Sequence, residues 1–251
     1  MADWRMDRDQ VLAALRDLID LWDSRAGLGW NVSSDRHGVN VAMINAYTSH
    51  AVNLARAVID LHLTGRTFES VSLVRSSMEC AVTATWLALY PEKTPDLLKF
   101  SATERKKLLT DIVKFGGGSA PEAIAEVEQI ESIEGHTDPE GKWLKSRFYS
   151  LKGGDSLYVT YRALCALDHA GNSLADAYTE RVEQSEENPW GVVLRDHPDD
   201  ALGVTWLGIE ASLILQAQIA ADSILSKPRR KTQLSKWAKK IGVAASIGRS
   251  E

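Results

Sequence analysis

The sequence predicts an all-α fold: a helical bundle of about six to eight helices around a central buried helix near 67–89. Apolar residues recur at helical spacing along most of the chain, and no stretch alternates with strand period for long. The segment TFESVSLVRSSMECAVTATWLAL, 67–89, carries apolar or small residues on nearly every side, as a helix enclosed by others does. Capping and stopping residues fall at the ends of the periodic segments.

The first helix is expected from about 8 to 24, with Asp7 or Asp9 as N-cap and a stripe of Val11, Leu12, Leu15, Leu18, Ile19 and Trp22. RAGLGW ends it, and the polar loop NVSSDRHG leads to a second helix over about 39–64, closed by the Thr-Gly pair. Thr67 is the expected cap of the third helix and Pro91 its stop. A charged amphipathic helix follows near 96–115, then GGGSAP, where the chain is most flexible, and Pro121 opens an acidic helix at its first turn. Residues 135–155 are loop-rich around a short helix in KWLKSRFYSL. Asp155 or Ser156 is expected to cap a helix continuing to about 183, and NPWGVVLRDHPDD reads as either a short hairpin or an irregular loop. A helix over 199–226 precedes a basic tail. The expected organisation is one helical domain, 1–226, with a flexible subdomain at 116–155 and a basic tail at 227–251.

The chain has 251 residues, enough to bury a sizeable core, and its net charge of −5 gives no general attraction for nucleic acid or anionic membrane. Cys80 and Cys165, its two cysteines, supply neither a disulfide scaffold nor a four-cysteine zinc site. That usage and a charged N-terminus without an apolar block predict a cytoplasmic protein. The run 201–225, followed by KPRRK, has the length of a membrane span. Glu210, Gln216, Gln218 and Asp222 interrupt it, and a central carboxylate costs about 2.5–3.5 kcal/mol, so a buried bundle helix is the expectation.

Polar residues in apolar places are the candidates for function. Arg75 and Glu79 share a stripe with Phe68, Val71, Val82 and Trp86. The arginine precedes the acid, the less favourable order for a surface pair, so helix stabilisation does not explain them. Either they form a structural ion pair fixing register, or they floor a polar pocket with Glu79 as base and Arg75 as anion holder. His50, at the edge of an apolar stripe, and Glu210, beside Trp206 and Leu213, raise the same question; Arg75 or a histidine is the expected partner of Glu210. On the helix after 155, Ala163, Leu164, Leu167, Ala170, Leu174 and Tyr178 form one face. Tyr161, Arg162, Cys165, His169, Asn172 and Asp176 form the other, and Tyr161 and His169 are expected to meet Arg75 and Glu79. Cys165 and His169 have the spacing of a thiol–imidazole pair, without a recognisable orienting group. His136, His169 and His197 occur singly, so no metal site and no cofactor are expected.

VRSSMECAVTATWL and YRALCALDHAG, with GKWLKSRFY between, resemble an uncharacterised family of helical bacterial proteins in which an Arg-x-x-x-Glu helix precedes a Tyr-rich helix ending in histidine. The resemblance covers about 40–180 and implies a helical fold. Arg162 and His169, six residues apart in the intervening sequence, also resemble the site of HEPN-type ribonucleases of toxin and phage-defence systems. Arg56 and His62 show the same kind of spacing. That resemblance implies metal-independent RNA cleavage, with arginine and histidine often joined across a homodimer. The basic tail, with Trp237 among its lysines, suits contact with RNA or an acidic partner. Two functions therefore stand: a HEPN-like ribonuclease or nucleic-acid-binding effector using Arg162 and His169, and a non-enzymatic interaction or small-ligand-binding protein with a buried polar cluster.

Overall fold

The computed structural model describes residues 6–25, 28–34, 36–116, 121–131, 144–198 and 201–250. These form ten α-helices and one two-stranded hairpin: α1 Arg8–Asp23, α2 Gly38–Leu63, α3 Val71–Leu89, α4 Thr94–Gly116, α5 Pro121–Glu131, α6 Leu144–Tyr149, α7 Gly154–Asp168, α8 Asn172–Ala177, β1 Thr179–Arg181, β2 Val192–Leu194, α9 Gly203–Ser223 and α10 Lys231–Ile241. Helices α2, α3 and α9 pack on one another at the centre; α1 and α10 lie against α9, and α6 and α7 against α3.

The helix termini show how the sequence sets these elements. Asp7 accepts from the Gln10 amide at 2.9 Å, and the Gln10 side chain accepts from the Asp7 amide at 3.3 Å, a reciprocal cap that starts α1. At the end of α2, Gly65 takes φ +75° while Arg66 N–H reaches Leu61 C=O at 2.8 Å, closing the last turn.

Every residue from Ala81 to Ala88 is buried, as expected of the central helix, but α9 shares that position, with residues such as Trp206, Glu210, Leu213 and Gln218 enclosed. Helix α9 has the length and apolarity of a membrane span, and 67% of that stretch is buried inside the fold. Asn40 replaces water with two partners: its amide donates to Leu87 C=O at 3.1 Å and to Thr94 Oγ1 at 2.8 Å, joining α2 to α3 and α4.

Several local expectations change. Thr67 makes no side-chain cap; a 3-10 turn over Phe68–Ser70 precedes α3, and the Thr67 carbonyl accepts from the Ser70 hydroxyl at 2.6 Å. Neither Asp155 nor Ser156 caps α7. Gly153 does, with φ +75°, and Gly154 follows so close to α6 that a Cβ there would lie 1.7 Å from Phe148 O. Helix α7 stops at Asp168, not near 183: His169 turns extended (ψ 145°), Gly171 restarts the chain into α8, and β1 pairs antiparallel with β2. NPWGVVLRDHPDD is therefore not a hairpin by itself: it supplies one strand, β2, whose partner β1 lies before it, and the rest of its described residues are irregular. The basic tail holds an amphipathic helix whose Leu234, Ala238 and Ile241 are buried. Of the 116–155 segment, residues 117–120 and 132–143, His136 among them, lie outside the described residues. Helix α5 packs on α4, with Lys106 and Glu128 3.3 Å apart, while α6 buries Arg147 and Phe148 in the main core.

Candidate functional site

Three polar features have the geometry to act: a charged cluster between α3 and α7, a buried layer beneath it, and a cavity at the other end of α7.

The cluster centres on Arg75. Its Nη1 donates to Glu79 Oε1 at 3.2 Å, and its Nε lies 2.8 Å from Asp168 Oδ2, a charge contact in which the N–H is not aimed at the oxygen. The Tyr161 hydroxyl donates to the same Glu79 oxygen at 3.0 Å, and Ser72 donates to Asp168. Burial disfavours the Arg75 charge, but Glu79 and Asp168 outweigh it and hold its pKa above the ordinary value. Tyr161 is pushed up by burial first, then by the neighbouring Cys165 thiol and the Glu79 charge. Phe148 packs on Tyr161 and Tyr158 with ring centroids 5.3 and 5.6 Å away, so aromatic contacts hold α6 and α7 beside the cluster.

Tyr161 therefore meets the Arg75–Glu79 pair and His169 does not. His169 and Arg162 are exposed, and neither side chain makes a polar contact with a described residue. Asp168 takes the place expected of His169. The signal was available: Tyr161, Cys165 and Asp168 stand at i, i+4 and i+7, one stripe of a helix. His169, the next residue, projects about 100° round the helix from Asp168 and so off that stripe, and its exposed side chain makes no polar contact with Cys165. His50 is exposed and without a side-chain partner. The buried histidine of α2 is His62, with Nε2 3.1 Å from the Ser70 hydroxyl.

Beneath the cluster lies the second layer. Glu210 is fully buried, and its partner is neither Arg75 nor a histidine: Ser77 Oγ donates to its Oε1 at 2.8 Å, while Oε2 has no partner. Burial pushes its carboxyl up to about 8, against a small opposing effect of the Ser77 hydrogen bond, so the group is mostly protonated at neutral pH. Cys80 is pushed up to about 11, by burial and then by Glu79 and Glu210. A thiol so disposed is a poor nucleophile. Arg147, which sequence reasoning passed over, donates to Thr83 Oγ1 at 3.0 Å, with its guanidinium 5.6 Å from the Trp86 ring centre. Burial lowers its pKa, opposed by Tyr47 and Glu79. Nothing in KSRFY distinguishes this arginine from the solvated lysine two residues before it. Among the described residues no group of three His, Cys, Asp or Glu side chains could hold a metal ion.

The cavity, of about 520 Å³, lies between α3, α9 and the N-terminus of α7. Thr85, Leu151, Leu157, Leu215 and Ile219 contribute to its lining, Ser212 and Gln216 add polar atoms, and Lys152 and Gly153 stand where α7 begins. Residues 243–248 roof it, and flanking contacts hold this strap. Lys152 N–H donates to Gly248 C=O at 2.9 Å, Ser250 N–H to Ser150 C=O at 3.0 Å, and the Arg249 guanidinium lies 4.3 Å from the Tyr90 ring centre. A second cavity of about 250 Å³ shares Ile219, Ser246 and Ile247 with the first. The Lys152 ammonium has no partner among the described residues. An α-helix N-terminus and a free lysine thus stand at one end of a mostly apolar chamber, which suits a negative head on an apolar body.

Residues 42–188 match the model of a family of unknown function, DUF5677. That span includes Arg75, Glu79, Tyr161 and Asp168 but not Glu210 or the strap. No match is found among curated proteins or among solved structures.

Proposed function

The chain belongs to the DUF5677 family, and for this member we propose a non-enzymatic, small-ligand-binding role, with a small amphipathic carboxylate as the ligand. The strap-roofed cavity of about 520 Å³ carries this reading, since its volume falls within the range of small-molecule sites. In it the acyl or ring portion contacts Leu157, Leu215 and Ile219, and the carboxylate faces Lys152 and the amide end of α7. The Arg75 cluster then has a mechanical role. It fixes α7 to α3 and so sets the position of the α7 N-terminus at the cavity rim.

Calorimetric titration with decanoate and decanol tests this. Both are expected to bind, Ser212→Trp to abolish both, and Lys152→Met to weaken decanoate alone by about tenfold. Decanoate binding unchanged in Ser212→Trp, or no binding of either compound to the native chain, overturns the reading.

A second reading, a HEPN-like ribonuclease, is favoured by one observation: Arg162 and His169 both present unpartnered side chains to solvent near the C-terminal end of α7. In that reading His169 moves protons and Arg162 stabilises the phosphoryl transition state, in a cytoplasmic effector acting alone or as a homodimer. Lys231, Lys236, Lys239 and Lys240 on α10 supply exposed charge for RNA. Incubation with RNA beside His169→Ala decides it: cleavage lost in the variant supports the reading, and equal or absent cleavage in both sinks it.

A further inference from the structure

Far from α7 in the sequence, the corner between the loop after α1 and the junction of α9 with α10 gathers more positive charge than it neutralises. Arg25, Arg229 and Arg230 line a recess of about 20 Å³ together with Trp30, Leu225 and Asp222. Asp222 is the one carboxylate among the described lining residues, and its oxygens are already engaged by the backbone amides of Arg229 and Arg230 at 3.0–3.3 Å. Neither of those two arginines has a side-chain hydrogen bond or ion pair among the described residues. Among the described lining residues three arginines therefore stand against one carboxylate.

Arg25 is held as a fixed donor. Its guanidinium stacks over Trp22 at 3.6 Å and over Trp30 at 4.0 Å, and its Nη2 makes one long contact, 3.4 Å, to Asn45 Oδ1. Its Nη1 is buried and has no partner. A buried guanidinium nitrogen without an acceptor is costly unless something fills that place. The loop that carries Trp30 is clamped to the end of α9, with Ser33 N–H donating to Ile224 C=O at 3.2 Å and Ser226 N–H to Asn31 C=O at 3.0 Å. The recess is therefore a built feature rather than a chance approach of surface arginines. Burial first, then the charge of Arg230 and to a smaller extent that of Arg229, pull the Arg25 pKa down to about 10, with Asp222 opposing.

We propose that this corner binds a phosphoryl dianion, one oxygen entering the recess toward Arg25 Nη1 and the others facing Arg229 and Arg230. The recess admits one oxygen-sized atom, since a water needs about 10–15 Å³ of such space, and no larger body enters it. Three guanidinium groups match the charge and the tetrahedral oxygens of phosphate, and the first turn of α10 adds its positive end next to them. The site is independent of the α7 cavity.

The test is calorimetric and thermal titration of the native chain with inorganic phosphate at constant ionic strength, with chloride as the matched control. Phosphate, but not chloride, is expected to bind and raise the melting temperature. Arg25→Gln, and separately the double substitution Arg229→Gln with Arg230→Gln, are expected to weaken phosphate binding by about tenfold or more. The double variant touches exposed and half-exposed side chains and keeps the fold, which circular dichroism verifies, so the proposal stays testable if Arg25→Gln unfolds. Two further arms distinguish the source of the group. Vesicles containing phosphatidic acid that bind with the same dependence on the arginines assign a lipid headgroup, and their failure beside binding of free phosphate assigns a soluble phosphate. Binding of an RNA oligonucleotide without any response to phosphate overturns the proposal, as does phosphate affinity unchanged in the double variant.

Discussion

Replacing Glu210 with glutamine should make the protein more stable, and increasingly so as pH rises. The carboxyl is fully enclosed, its one hydrogen bond comes from Ser77, and its pKa in the folded chain is pushed up to about 8. An unfolded glutamate titrates near 4.3–4.5. Well below that value the group is protonated in both states and has no effect. As pH rises the unfolded chain releases the proton while the native one keeps it, so the native state binds more protons and stability falls until the folded group also ionises near 8. Linkage with these two values gives a loss of about 4 kcal/mol between about pH 5 and about pH 9, of which about 2.5 kcal/mol has accrued by pH 7. Glu210→Gln keeps the shape and the contact with Ser77 but has no proton to lose. Urea denaturation of both proteins at a series of pH values reads the difference directly, because every other titrating group is common to the two. The gap should be small near pH 5 and widen to several kcal/mol by pH 9. Parallel profiles would refute the argument, and would mean that the native site solvates or pairs the carboxylate.

Gly154→Ala should lower stability by about 3 kcal/mol or more, since the new methyl would stand 1.7 Å from Phe148 O; an unchanged urea midpoint would contradict this packing. A double-mutant cycle with Arg75→Met and Asp168→Asn should give a coupling of about 0.5–1 kcal/mol. The side chains are 25% and 14% exposed, and water screens part of their attraction. In a Cys165→Ser background, Cys80 should react with a thiol reagent at pH 8 about a hundredfold more slowly than an unhindered cysteine, because its thiol is held near 11; a rate like that of free cysteine would refute the assignment.

The all-α class was legible because it rests on local information. Helical periodicity, the Asp7 and Gln10 cap, Gly65 after α2 and Pro91 after α3 act within a turn or two of the residues that carry them. The out-of-place character of Arg75, Glu79 and Glu210 could also be read, because a charge on an apolar stripe is unusual whatever surrounds it. Their partners could not. Asp168 could be read as sharing a stripe with Tyr161, but that this stripe meets Arg75 depends on how α7 packs on α3, and Glu210 faces Ser77, a residue that periodicity treats as neutral. Only the tertiary structure decided that Arg147 is buried, that the strap at 243–248 roofs a cavity, and that Arg25 converges with Arg229 and Arg230. Those contacts join residues dozens to hundreds of positions apart. Sequence fixes which faces must be covered, through hydrophobic burial that is non-directional, whereas which polar atoms then meet depends on helix ends and crossing geometry that only the packed chain defines.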